Sequence, residues 1–207
     1  MTTNKANFQP SDWSPKEVLM SFFKKPITNH QPQPQPVSLL WVYQYVQSEV
    51  AATATEKLRM ISDKEKARDY KAIHFDYVTP SGVFNYSNDT SLVKLSGVLC
   101  MDLDYLGNQV EEMFQKLLAD EAFTTLLLFR SPSGHGLKWF IHIDLTLCDH
   151  RMWFKGVRNY LLKTYSLNDK QVDSTCSNLS RACFLGYDPD AYILSELINY
   201  HNNEDVF

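Results

Sequence analysis

Asp102-Leu-Asp104, the run Ser131-Pro-Ser-Gly-His-Gly-Leu-Lys138, and Asp173 followed by Arg181 are the residues of this chain whose types and spacing could do chemistry. On a strand, residues two apart project to one face, so Asp102 and Asp104 point together while Met101 and Leu103 turn into the core. Two carboxylates so placed repel each other unless a cation lies between them. With Asp173 as a third ligand, Mg²⁺ or Mn²⁺ shared with substrate phosphates is the chemistry the set suits, and all three aspartates are the candidate catalytic and metal residues. The plainer alternative is a strand end: Asp104-Tyr-Leu-Gly107 as a turn and Asp173 as an isolated turn residue.

The run from Arg130 to Lys138 lies between two apolar segments. Gly134 and Gly136 permit close backbone approach, and amide groups of such a loop can form a nest for phosphate oxygens. Arg130, Ser131, Ser133, Gly134, His135, Gly136 and Lys138 are therefore candidate nucleotide-binding residues, with Arg130 and Lys138 bracketing a triphosphate. An ordinary hairpin turn with solvated basic residues is the alternative. The run is not a Walker loop, since no Gly-Lys-Ser/Thr opens a helix. Arg181 enters an apolar segment soon after Asp173, where it could pair with that carboxylate or hold a phosphate, or form a plain structural ion pair.

These residues need elements to position them. Periodicity predicts two or three helices over 38–68, a hairpin from 72–78 and 83–84, and a long core strand over 93–103. A helix follows at 108–119, with Val110, Met113, Phe114, Leu117 and Leu118 as its apolar stripe. Strands at 124–129 and 137–143, a helix at 149–165, a short strand at 171–173, a last strand at 181–185 and a terminal helix at 193–200 complete the order. The fold class expected is α+β, with helices on one face of a mostly antiparallel sheet. Residues 1–36 end in Gln31-Pro-Gln-Pro-Gln-Pro36 and read as an extended arm or linker; residues 37–207 read as the domain.

Of the 207 residues, 44% are hydrophobic, enough for a sizeable core. The net charge of −4 excludes a global basic field, so any nucleic-acid binding must be local. No apolar run nears the roughly 20 residues of a membrane span, and no signal-type segment opens the chain, so a cytoplasmic, membrane-free protein is expected. Cys100, Cys148, Cys176 and Cys183 have no close pair spacing of the zinc-site kind and read as reduced core thiols.

Taken together, Leu95-Ser-Gly-Val-Leu-Cys-Met-Asp-Leu-Asp104, Phe129 to Lys138, and Val172-Asp173 with Ser180 to Tyr192 resemble the N-terminal domain family of virulence-associated-E-type mobile-element proteins, within the archaeo-eukaryotic primase and primase-polymerase superfamily. The basic stretch around Arg59 and Lys64, Lys71 to Phe75, and Ser81 to Phe84 add to the likeness. The resemblance implies a sheet of primase-polymerase, RRM-like type and a metal-dependent nucleotidyltransferase that binds a nucleoside triphosphate and single-stranded DNA. It also implies a helicase domain or chain as partner. The family's strand histidine falls on Lys138, which can hold a phosphate but cannot act as a neutral imidazole. The alternative is a non-catalytic nucleic-acid-binding module with Tyr105 or Trp139 as stacking surfaces. A tyrosine-dependent nicking initiator ranks last, because His142 stands alone on its strand.

Overall fold

The computed structural model describes residues 18–28, 33–172 and 174–202, and it is α+β with antiparallel sheets. Ten strands and six helices follow one another among these residues: β1 (Leu19–Phe23), β2 (Gln35–Ser38), α1 (Leu39–Gln47), α2 (Ala52–Arg59), α3 (Lys64–His74), β3 (Tyr77–Thr79), β4 (Gly82–Phe84), β5 (Leu92–Leu95) and β6 (Val98–Leu103). Then come α4 (Val110–Leu118), β7 (Thr125–Arg130), β8 (Leu137–His142), α5 (His150–Thr164), β9 (Cys183–Phe184), β10 (Tyr192–Ile193) and α6 (Ser195–Asn202). No helix among the described residues is long and apolar enough to cross a membrane.

The central sheet runs β10-β7-β8-β6, and a second sheet runs β2-β1-β3-β9. Alternation along β6 and β8 assigns the two faces. Leu99, Met101, Leu103, Leu137, Trp139 and Ile141 pack with Met113, Phe114 and Leu117 of α4 and Phe154, Val157 and Leu161 of α5. Val98 and Phe140 face the other way, into a core shared with Val42 and Val46 of α1 and with Met20, Val78 and Leu185. The expected layout of helices on one face of one sheet is thus corrected: the second face of the central sheet is covered by α1 and the second sheet.

Helix starts follow local capping chemistry. The side chains of Ser38, Asp63 and Asp149 accept from the backbone N–H of Trp41, Lys66 and Met152, which satisfies first-turn donors of α1, α3 and α5. Three further expectations change. Residues 19–23 and 35–38 are strands of the second sheet and not an extended arm, because Met20, Phe22 and Val37 are buried there. Residues 72–74 end α3, and β4 pairs with β5 while β3 pairs with β1 and β9, so no β3–β4 hairpin forms. The long strand 93–103 breaks at Gly97, whose φ of +71° turns the chain from the small β4-β5 sheet into the central one.

Candidate functional site

Asp102 and Lys138 lie directly opposite each other in the antiparallel β6–β8 ladder. They share the alternation of Cys100 and Phe140, so both point between the two sheets, where Lys138 Nζ forms an ion pair with Asp102 Oδ2. Lys138 is 7% exposed. Burial opposes its charge, but the Asp102 and Asp104 carboxylates and the nearby Cys183 outweigh that cost and hold its pKa above the ordinary lysine value. Asp102 Oδ1 is buried without a hydrogen-bond partner. It faces a cavity of about 30 Å³ lined by Cys100, Asp102, Lys138, His150, Arg181 and Cys183, among others. The Nδ1 atom of His150 is the other buried side-chain atom without a partner among the described residues. Within this wall the Cys100 thiol hydrogen-bonds Cys183, and burial pushes its pKa up.

Asp104 sits just past the end of β6, its N–H bonded to Gln171 O at 2.9 Å. Burial, and then the Asp102 charge, raise its pKa, while Lys138, Lys71 and Arg181 act in the opposite sense. Lys71 is pulled down by burial and by Lys138. Asp102, Asp104, Lys71, Lys138 and Arg181 are therefore one electrostatic group, and Lys71 is the member that sequence reasoning missed.

Beyond Asp104 the chain opens into a groove of about 730 Å³ lined by Arg59, Lys64, Arg68, Lys71, Tyr105 and His135, with Asp104 and Ser133 also on its wall. The spacing of Lys64, Arg68 and Lys71 is i, i+4, i+7, which puts them on one face of α3. That periodicity was the available signal. Tyr105 is 63% exposed and has a φ of +55°, a left-handed conformation uncommon for a side chain of its size. The Asp104 N–H bond on one side and a bond from Leu106 N–H to His135 O at 2.9 Å on the other hold it there. The Lys64 ammonium lies 5.1 Å from the ring centroid.

The loop between β7 and β8 is a closed turn. Ser131 N–H donates to Gly136 O and Gly134 N–H to Ser131 O, both at 2.8 Å, and His135 N–H faces Ser133 Oγ. Those amides point into the loop, which corrects the expected open nest of donors. Gly136 is required by packing: a Cβ there would lie 2.2 Å from Leu103 O. Ser131 is buried, with its hydroxyl 3.1 Å from that of Ser133, and Gly134 lies under Arg59, so only Ser133 and His135 of the loop's other residues reach the groove with Gly134 behind them.

Arg130 is placed elsewhere. Its guanidinium makes two bonds to Glu111, at 2.8 and 2.7 Å, and one to Asp188 at 2.9 Å, and it lies over the Phe114 ring. With three of its five donors held by Glu111 and Asp188 and its plane over Phe114, it is turned to α4 and the 188 turn, away from Lys138, and the expected bracketing role is corrected. Trp139 is fully buried, its indole N–H donating to Thr125, so it offers no stacking surface. Asp173 lies outside the described residues. Among the described residues no three His, Cys, Asp or Glu side chains are grouped to hold a metal ion.

The family model that matches the sequence is that of the BT4734-like, N-terminal domain, over residues 70–193. The chain belongs to this family. No curated protein and no solved structure matches it. The finding corrects the resemblance to virulence-associated-E-type and primase-polymerase domains, since the family shown is a different one and nothing in the fold shows a primase relationship. The span of the BT4734-like domain takes in Lys71, Asp102, Asp104, the β7–β8 loop and Arg181; Arg59, Lys64 and Arg68 precede it.

Proposed function

We propose that this BT4734-like domain binds single-stranded nucleic acid along the groove between α3 and the end of β6. Phosphates would meet Arg59, Lys64, Arg68 and Lys71, and a base would stack on Tyr105. The observation that carries the reading is that α3, eleven residues long, has no fully buried residue, Ala67, Tyr70, Lys71 and Ala72 being half-buried, and lines the groove with Lys64, Arg68 and Lys71. The face it presents to the groove carries Lys64, Arg68 and Lys71 beside the single carboxylate of Glu65, opposite the exposed Tyr105 ring. That pairing of backbone-tracking cations with a stacking platform is the physics of sequence-tolerant strand binding. The local basic groove also reconciles binding with a net charge of −4.

The second reading, metal-dependent nucleotidyl transfer with a nucleoside triphosphate near Ser133, His135, Lys138 and Arg181, draws on the unpaired Asp102 Oδ1 beside Asp104. It needs both carboxylates open to Mg²⁺ or Mn²⁺. The residues do not fit such an ion well, because Lys138 already holds Asp102 Oδ2. This favours binding over catalysis.

The test is anisotropy of a labelled oligothymidylate against salt. Four cations on single-stranded phosphates give a slope of log K against log salt of about −3. Arg68→Glu should weaken binding by about tenfold or more and flatten that slope. Unchanged affinity in the double variant Lys64→Glu/Arg68→Glu would sink the reading.

A further inference from the structure

Two carboxylates two residues apart at the end of one strand need a positive charge near them, and here the chain supplies it. We propose that the Lys138 ammonium is the resident cation of the Asp102–Asp104 pair, so that the groove takes up its phosphate-bearing ligand without a divalent metal ion. The first half stands on the geometry alone; the second rests on the binding reading above.

The in-register position of Lys138 opposite Asp102 fixes its ammonium on Asp102 Oδ2 from within the sheet, on a strand otherwise filled by Leu137, Trp139, Phe140 and Ile141. A lysine 7% exposed in such a strand is stable only as half of a pair, so the ammonium is a structural constituent of the site. Lys71 and Arg181 act on Asp104 from other sides. Three cations thus surround two carboxylates, and the excess is positive without any added ion. A divalent ion on the free Asp102 Oδ1 would stand beside a fixed ammonium that cannot move into water, and like charges at that range repel strongly at low dielectric. The same excess favours a phosphate near Asp104, where Lys71 lines the groove and Arg181, exposed, lines the neighbouring cavity.

The proposal is tested by titrating Mn²⁺ into the full chain, followed by electron paramagnetic resonance, for wild type, Lys138→Arg and Lys138→Met. Wild type and Lys138→Arg should take up no Mn²⁺ that Asp104→Asn abolishes. Lys138→Met should gain such a site, at least about tenfold tighter than any uptake by wild type, and lose it again in Lys138→Met/Asp104→Asn. In parallel, wild-type affinity for labelled oligothymidylate should agree within about twofold in EDTA and in Mn²⁺. Wild-type Mn²⁺ uptake that disappears in Asp104→Asn overturns the assignment, and so does a folded Lys138→Met without gain. If Lys138→Met fails to fold, the wild-type and Lys138→Arg titrations decide by the same criterion. Oligothymidylate that binds under neither condition removes the binding reading, while the Mn²⁺ result still decides the role of Lys138.

Discussion

Replacing Arg130 by methionine keeps an aliphatic stem and removes the guanidinium, with its ion pairs and its place over the Phe114 ring, which separates a structural role from a phosphate-binding one. The loss is worked from its two partners. Asp188 has a side chain only 3% exposed, and removing one member of a buried pair costs about 3–5 kcal/mol. Asp188 Oδ2 still accepts from the Arg130 backbone N–H at 2.6 Å, which points to the lower end, about 3 kcal/mol. Glu111 is 66% exposed, and its share is below about 1 kcal/mol. Urea unfolding with a slope of about 2 kcal/mol/M should place the variant's midpoint about 1.5 M lower. Below its transition, the variant should bind oligothymidylate within about twofold of wild type. A stability loss under about 1 kcal/mol, or an affinity loss beyond about tenfold in the folded variant, would refute the placement of Arg130 as a clamp between α4 and the 188 turn.

Tyr105→Ala should weaken oligothymidylate binding by about 1–3 kcal/mol with little change in melting temperature, measured by anisotropy and calorimetry. His150 is buried without a partner on Nδ1, and burial, only partly countered by Asp149 and Asp89, lowers its pKa from 6.5 to about 4. The unfolded chain therefore binds this proton more readily than the folded one. Its effect on stability is nil above about pH 6.5, deepens as pH falls towards 4, and totals about 3 kcal/mol; the wild-type urea midpoint should therefore fall relative to that of His150→Phe as pH is lowered across that window. Gly136→Ala should destabilise by several kcal/mol or displace the β7–β8 loop, because its Cβ would meet the Leu103 carbonyl, a backbone atom with no flexible end to yield. Circular dichroism melts would read the loss.

Elements with long apolar periods were legible from the residues alone. The stripe Val110, Met113, Phe114 and Leu117 gave α4, and the apolar runs gave β8 within a residue and the end of β6, though not the break at Gly97 that separates β6 from β5. What failed was pairing. Residues 72–78 and 83–84 look like the arms of a hairpin because a Thr-Pro-Ser-Gly turn joins them, yet β3 is drawn away to β1 and β9. The pull comes from Tyr77 and Val78, both fully buried in the second sheet. A partner 50 or 100 residues away leaves no local trace in the sequence, and the same holds for β1, which sits in a segment whose proline and glutamine content speaks for an open arm.

The site was legible in its carboxylates and illegible in its cations, and the reason is the reach of the side chains. A carboxylate two atoms from the backbone goes where the strand points it, so Asp102 and Asp104 follow from period two. A lysine or arginine can turn to whichever partner the tertiary structure offers. Arg130 and Lys138 are eight residues apart in one loop motif, but Arg130 is taken by Asp188 and Glu111, while Lys138 is held on Asp102. The loop pattern alone treats the two as a matched bracket. Only the register of β6 against β8 shows that one closes a helix–strand contact and the other supplies charge to a strand-end carboxylate pair. The cations left over for a ligand are then those on α3, a helix whose spacing of Lys64, Arg68 and Lys71 gains meaning only once the structure shows all three lining one groove.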